Sequence, residues 1–317
     1  MIKYLIIPLS DNAVSFCHYN ARKGSSATIE TETLRKALIW AMKENLSVQF
    51  LYPSEGVGKN IELIINTIDH TDIVPADCRD NNRLKGADIV VFNTWDGIET
   101  FGFRPDQSYI IRTTTEILIN HRDGIQALLK KVNRLNIVVT DVPNFNPELH
   151  NGYQEFLESL IPTIVEEYSS GHMVQLNLLT DRIMLTGMNN CNAGNESLTL
   201  APDGNFYTCP AFYFDGFPAV GTTEQGPDIK NPQLYRLSHA PICRICDAYQ
   251  CKRCVWHNQQ LTFEVNTPGK QQCVMAHIER NASRKLLEAL RKAMPGFMSE
   301  TIIQEIKYLD PFDNIKI

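Results

Sequence analysis

Seven of the nine cysteines fall between residues 191 and 273: Cys191, Cys209, Cys243, Cys246, Cys251, Cys254 and Cys273. Their spacing is C-x12-G-x4-C, a gap of 33 residues, C-x2-C-x4-C-x2-C, a gap of 18 residues, and a last C. Thiolates two residues apart on a tight turn can both reach one metal centre, which is why C-x2-C recurs at zinc and iron-sulfur sites. Two such pairs with three further cysteines around them point to a bound ion or cluster rather than to scattered core thiols. Spacing alone leaves the metal open. His257, three residues after Cys254, and His277, four after Cys273, could each supply an eighth ligand for two tetrahedral zinc ions. Cys17 and Cys78 stand apart from the cluster, and Cys78 reads as a small buried hydrophobe.

Thiols in such numbers must be carried by a folded body, and the 317 residues, 43% apolar, are enough for one large α/β unit or two domains. A net charge of −6 offers no basic excess for nucleic acid or for an anionic membrane as the main partner. The N-terminal apolar run, residues 4–9, contains Pro8 and is shorter than a signal-peptide core, and no stretch reaches transmembrane length. The expected location is therefore cytoplasmic, where clustered thiols hold metals more often than they form disulfides.

From residue 4 to about 180, short β-branched runs alternate with amphipathic ones. Strands are expected at 4–9, 48–53, 72–76, 88–93, 108–113, 136–142 and 174–180. Helices are expected at 32–45, 58–69, 122–135 and 148–168, the last with a kink or break at Pro162. Such alternation means βαβ units and a mainly parallel sheet, doubly wound or rolled into a full or partial barrel, with the chemistry at the C-terminal ends of the strands. After about residue 185, Gly, Asn, Pro and aromatic residues rise and helical periodicity is lost until about residue 274. The expected organisation is a barrel over 1–183, a loop-rich, cysteine-rich domain over 184–278, and a helix from 279 with a tail to 317 packing on the body.

The cysteine-rich segment resembles the SPASM domain, the auxiliary iron-sulfur module of many radical SAM peptide maturases, whose pattern is C-x9-15-G-x4-C, gap, C-x2-C-x5-C-x3-C, gap, C. CNAGNESLTLAPDGNFYTC matches the first half, with Gly204 on a Pro202-Asp203-Gly204 turn between two short strands, while the quartet is one residue shorter in each of two spacings. The resemblance implies two [4Fe-4S] clusters. Cys243, Cys246, Cys251 and Cys273 would hold one; Cys191, Cys209 and Cys254 would hold the other, with one iron open. Zinc is the alternative metal.

A SPASM-like half implies that the first half is a radical SAM partial (β/α)6 barrel, whose C-x3-C-x2-C motif follows the first strand. Here Ser10, Val14 and Cys17 occupy the three positions, and in LYPSEG only Glu55 matches the SAM-contacting motif expected after the second strand. One thiolate does not hold such a cluster, so S-adenosylmethionine cleavage is not expected and the barrel reads as a degenerate scaffold. Within this group the chain is most similar to the CXXX repeat peptide maturases, which implies a small Cys-repeat precursor peptide, or another maturation enzyme, as partner.

Three functions follow: an iron-sulfur protein of peptide maturation, a non-catalytic module that presents the peptide, and a zinc-stabilised adaptor. A nucleotide-binding or hydrolase reading lacks G-x-G-x-x-G, the Walker A pattern and G-x-S-x-G. Asp96-Gly97 and Asp141 fall near strand ends, where solvated loop acids are the common case.

Overall fold

The structure is a computed structural model that describes residues 2–21 and 27–305. The expected C-terminal tail beyond 305, and the Arg22-Lys23-Gly24 end of the loop after the first strand, lie outside the described residues. In chain order the strands are β1 (Tyr4–Pro8), β2 (Ser47–Leu51), β3 (His70–Pro75), β4 (Ile89–Phe92), β5 (Ser108–Thr113), β6 (Arg134–Val139), β7 (Gln175–Leu176), β8 (Ser197–Leu200), β9 (Asn205–Tyr207), β10 (Gly221–Thr222) and β11 (Gly226–Pro227). The helices are α1 (Thr31–Lys43), α2 (Lys59–Ile65), α3 (Asn81–Gly86), α4 (Thr115–Asn120), α5 (Arg122–Leu129), α6 (Pro147–Ser159), α7 (Ile161–Ser169), α8 (Thr180–Met184), α9 (Pro210–Phe214), α10 (Val255–Thr262) and α11 (Lys270–Ala293). Among the described residues no helix is long and apolar enough to cross a membrane.

The chain forms two compact units, each assembled from two separate stretches: 1–93 with 191–240, and 94–190 with 241–317. In the first unit the strand order is β11-β10-β9-β8-β1-β2-β3-β4. β1 runs parallel to β2 and to β8, with Tyr4 opposite Ser47 on one side and Ser197 on the other. β2, β3 and β4 continue in parallel, whereas β8 to β11 form antiparallel pairs. Leu5, Ile7, Phe50, Val74 and Val90 are completely buried, as the unbroken apolar runs of a sheet covered on both faces require. α1 buries Leu34, Ala37, Leu38 and Ala41, the i, i+3, i+4, i+7 stripe of its sequence, and its Trp40 ring lies 4.8 Å from Phe206 of β9.

The second unit pairs β5, β6 and β7 in parallel and packs α11 against α6, α7 and α8. The long apolar stretch expected at 148–168 is two helices meeting at Leu160, with Pro162 in the first turn of α7, where its missing N–H costs nothing. Three expectations are corrected. The 174–180 strand stops at Leu176, because Thr180 Oγ1 accepts the Leu176 N–H at 2.8 Å and donates to its carbonyl at 3.0 Å, folding the chain back into α8. The helix expected over 122–135 ends at Leu129, and the following strand is 134–139, where the Arg134 guanidinium forks onto Asp181 at 2.5 and 2.9 Å. The final helix starts at Lys270, nine residues before the expected 279, so Cys273 and His277 stand on a helix and not in a loop.

Candidate metal centres

In the second unit a 3-10 turn, Cys243–Ile245, brings the first C-x2-C pair together, with the Cys246 N–H bonded to the Cys243 carbonyl at 3.2 Å. Cys251 follows a turn closed by its own N–H on the Ala248 carbonyl at 2.9 Å, and Cys273 sits in the first turn of α11. Cys243, Cys246 and Cys273 all stand near enough to Cys251 for their charges to act on its thiol. Burial pushes the Cys251 thiol well above its ordinary range, and the neighbouring Cys243, Cys273 and Cys246 sulfurs push it further. Cys246 Sγ lies 3.5 Å from Nε2 of His277, one turn along α11 from Cys273. Cys254 caps α10 instead, its sulfur accepting the His257 N–H at 3.5 Å.

Three buried guanidiniums surround this group. Burial raises the Cys243 thiol, and the charge and hydrogen bond of Arg253, itself 1% exposed, oppose that rise, leaving it at about 11. Burial likewise raises Cys246, against the Ala248 N–H at 3.4 Å and the charges of Arg280 and Arg182. Asp247, between them, takes Arg280 at 2.8 Å and Arg182 at 3.5 Å, and Arg182 also stacks on the Tyr249 ring at 4.4 Å. Asp247 sets one carboxylate against the two guanidiniums it takes, and thiolates on a metal would add negative charge beside them. The donor set therefore suits a metal centre held by Cys243, Cys246, Cys251 and Cys273. Behind it, Glu279 accepts the Tyr153 hydroxyl at 2.8 Å and the Gln250 amide at 3.4 Å, and burial lifts its carboxyl to about 7.

Cys191 and Cys209 lie in the first unit, and Cys254 in the second. Asn192 and Gly194, both at positive φ, wrap the chain after Cys191 into a turn that is closed by Ser197 Oγ on the Cys191 carbonyl at 2.8 Å. A Cβ at Gly194 would lie 2.5 Å from the Tyr235 ring and 2.9 Å from Thr208 Cγ2, so the turn is pressed against the residue preceding Cys209. Gly204 takes φ +81° at the turn between β8 and β9. Cys209 is the N-cap of α9; burial drives its thiol far up, and Cys191 and, less strongly, Cys17 add to the shift.

At the end of β1, Ser10 is 2% exposed and its Oγ accepts the Asn12 N–H at 3.2 Å, while Val14 is 4% exposed and donates its N–H to the Tyr52 carbonyl at 2.8 Å. Glu55 is exposed on a turn after β2. Asp141 accepts the N–H and the hydroxyl of Thr115 at 2.9 and 3.0 Å and so anchors the start of α4, Asp96 is exposed, and Cys78 is 6% exposed. Among the described residues no group of three or more Cys, His, Asp or Glu side chains already stands in ligating geometry. Sequence reasoning missed the cationic shell. Arg253, set between Cys251 and Cys254, was visible within the motif; Arg182, Arg280 and Glu279 carry no local signal.

No family model and no curated protein matches the chain. Among solved structures it is similar to hexahistidine-tagged anSMEcpe with bound AdoMet, at 12% identity and a TM-score of 0.65, covering 95% of this chain and 98% of that one. Native anSMEcpe with bound AdoMet and Cp18Cys peptide gives 13% identity and a TM-score of 0.64, covering 92% and 99%. The chain thus shares, over nearly its whole length, the α/β fold of anSMEcpe.

Proposed function

We propose that this chain is an iron-sulfur protein that acts in the maturation of a ribosomally made, Cys-containing precursor peptide, of the CXXX repeat type, without cleaving S-adenosylmethionine. The observation that carries the reading is the convergence of Cys243, Cys246, Cys251 and Cys273 within one unit, inside a shell of buried arginines. The fold is in keeping with it, since anSMEcpe has been solved with a Cp18Cys peptide bound. A four-iron cluster, when bound, supplies a one-electron couple whose potential the surrounding charge and hydrogen bonds set. In this chain Arg253 would hold Cys243 as thiolate, the Ala248 N–H would bond the Cys246 sulfur, and α11 would fix Cys273. Cys191 and Cys209 would serve a second cluster in the first unit. The SAM arm of the proposal rests on Ser10 and Val14, whose side chains offer no thiolate where the radical SAM motif has cysteines.

Metal and sulfide analysis of anaerobically purified protein tests the reading: about eight iron and eight sulfide per chain are expected for two four-iron clusters. Zinc without sulfide would replace it with the zinc-stabilised adaptor, which the 3.5 Å approach of His277 to Cys246 favours. Reduced protein given S-adenosylmethionine should form no 5′-deoxyadenosine above background, and its formation would overturn that arm alone.

A further inference from the structure

Cys17 is the cysteine that the motif comparison leaves over. In the fold it is not isolated. The loop after β1 is pinned to α9 at two points that bracket Cys17: Tyr213 donates its hydroxyl to Asp11 Oδ1 at 2.5 Å, and the Phe214 ring stacks on Tyr19 at 5.5 Å and 11°. Asp11 and Tyr213 are both buried, so the first of these is a fixed point of the core and not a surface contact. Cys209 immediately precedes α9, and Gly194, three residues after Cys191, lies against Thr208, the residue before Cys209. Three separate packing contacts therefore bring the stretches bearing Cys17, Cys191 and Cys209 to one place inside the first unit. Cys17 is partly exposed and Cys191 exposed, so solvent-borne metal and sulfide can reach the group.

We propose that Cys17 is a thiolate ligand of the same iron-sulfur centre as Cys191 and Cys209. The inference rests on the reading that Cys191 and Cys209 hold a cluster, and it changes what that cluster can do. A further protein thiolate from the first unit reduces the iron positions open to a substrate thiol, which biases the centre toward structure and electron transfer. It also gives the loop after the first strand a new use: the surviving cysteine serves the auxiliary centre and not a SAM-binding one. Each thiol gives up its proton on ligation, so assembly at this centre releases protons and is favoured by rising pH.

The test uses the full chain purified without air. Iodoacetamide is added, and alkylated cysteines are located by peptide mass spectrometry before and after ferricyanide and EDTA strip the metal. Cys17 and Cys191 should both stay unmodified in the holoprotein and both react in the stripped protein. In a Cys191→Ala, Cys209→Ala double variant, Cys17 should be alkylated without any stripping. Alkylation of Cys17 in holoprotein whose Cys191 is protected would overturn the inference and leave the iron-sulfur reading intact. Alkylation of both in iron-bearing protein, or persistent protection of Cys17 in the double variant, would overturn it as well. Protein without iron and sulfide would instead bring down the functional reading on which it rests.

Discussion

At the scale of single residues, two positions decide how the thiols are held. Gly194 takes φ +77°, and any Cβ there meets Tyr235 and Thr208, so Gly194→Ala must both strain the backbone and displace the turn that carries Cys191. A loss of about 1–3 kcal/mol is expected from the backbone alone, read as a shift in urea unfolding, with weakened iron retention at the first unit. Wild-type stability in that variant would mean that the turn does not hold Cys191. Glu279 is the second position. Its carboxyl is raised by burial from 4.5 to about 7, so between those values the folded chain keeps a proton that the unfolded chain has released. Stability should therefore fall as pH rises through that window, by at most ~3 kcal/mol. Glu279→Gln removes the titration while keeping an acceptor for Tyr153, and should flatten the dependence measured by urea unfolding of metal-free protein at pH 5 and pH 7.5. An unchanged slope would assign the dependence elsewhere.

Among the elements, α11 matters most, because it carries Cys273, His277, Glu279, Arg280 and Ser283 on one continuous helix. Ser283 bonds the Leu179 carbonyl at 2.8 Å and Lys285 pairs with Glu158 at 2.5 Å, so the helix that supplies one thiol is also bolted to α6 and to the chain before α8. Arg280 ties it to the cysteine loop through Asp247. Removing either partner of this pair is not equivalent. Arg280→Met leaves Asp247, a quarter exposed and still near Arg182, whereas Asp247→Asn leaves two buried guanidiniums facing a neutral amide. Asp247→Asn should thus cost more than Arg280→Met, about 3 kcal/mol against about 1–2 by denaturant unfolding; the reverse order would show that the arginines are compensated elsewhere. The start of this helix was hidden in the sequence because Lys270-Gln271-Gln272 lacks an apolar stripe, although Gln272 is buried. The parallel strands were legible because both faces are covered and their apolar runs are unbroken. β7 was overread because a hydroxyl, and not a turn residue, ends it. Spacing named the candidate ligands but gave no sign of the cationic shell, since Arg182 and Arg280 reach Asp247 from distant parts of the sequence.

For the whole molecule, the two groups of thiols belong to different units, and the units differ in what holds them. The first has a mostly apolar parallel core in which Leu5, Ile7, Phe50, Leu51 and Val90 exclude solvent completely. The stretch 241–254 of the second has no strand and only a 3-10 turn. Its internal order rests on short backbone bonds, on Asp247 and its arginines, and on whatever the four thiols bind. A centre that supplies folding energy to such a stretch must withdraw it on removal. Hydrogen exchange of full-length protein before and after chelation should therefore show two responses. Amides of 243–251 and the first turn of α11 should lose protection, those of the Cys191 turn should follow, and β1, β2 and β4 should remain protected because apolar burial and ladder bonds hold them without metal. Uniform loss across β1 and β2 would mean that the metal stabilises the chain as one cooperative body. Unchanged exchange over 243–251 would show that the thiols of the second unit bind nothing that its fold depends on.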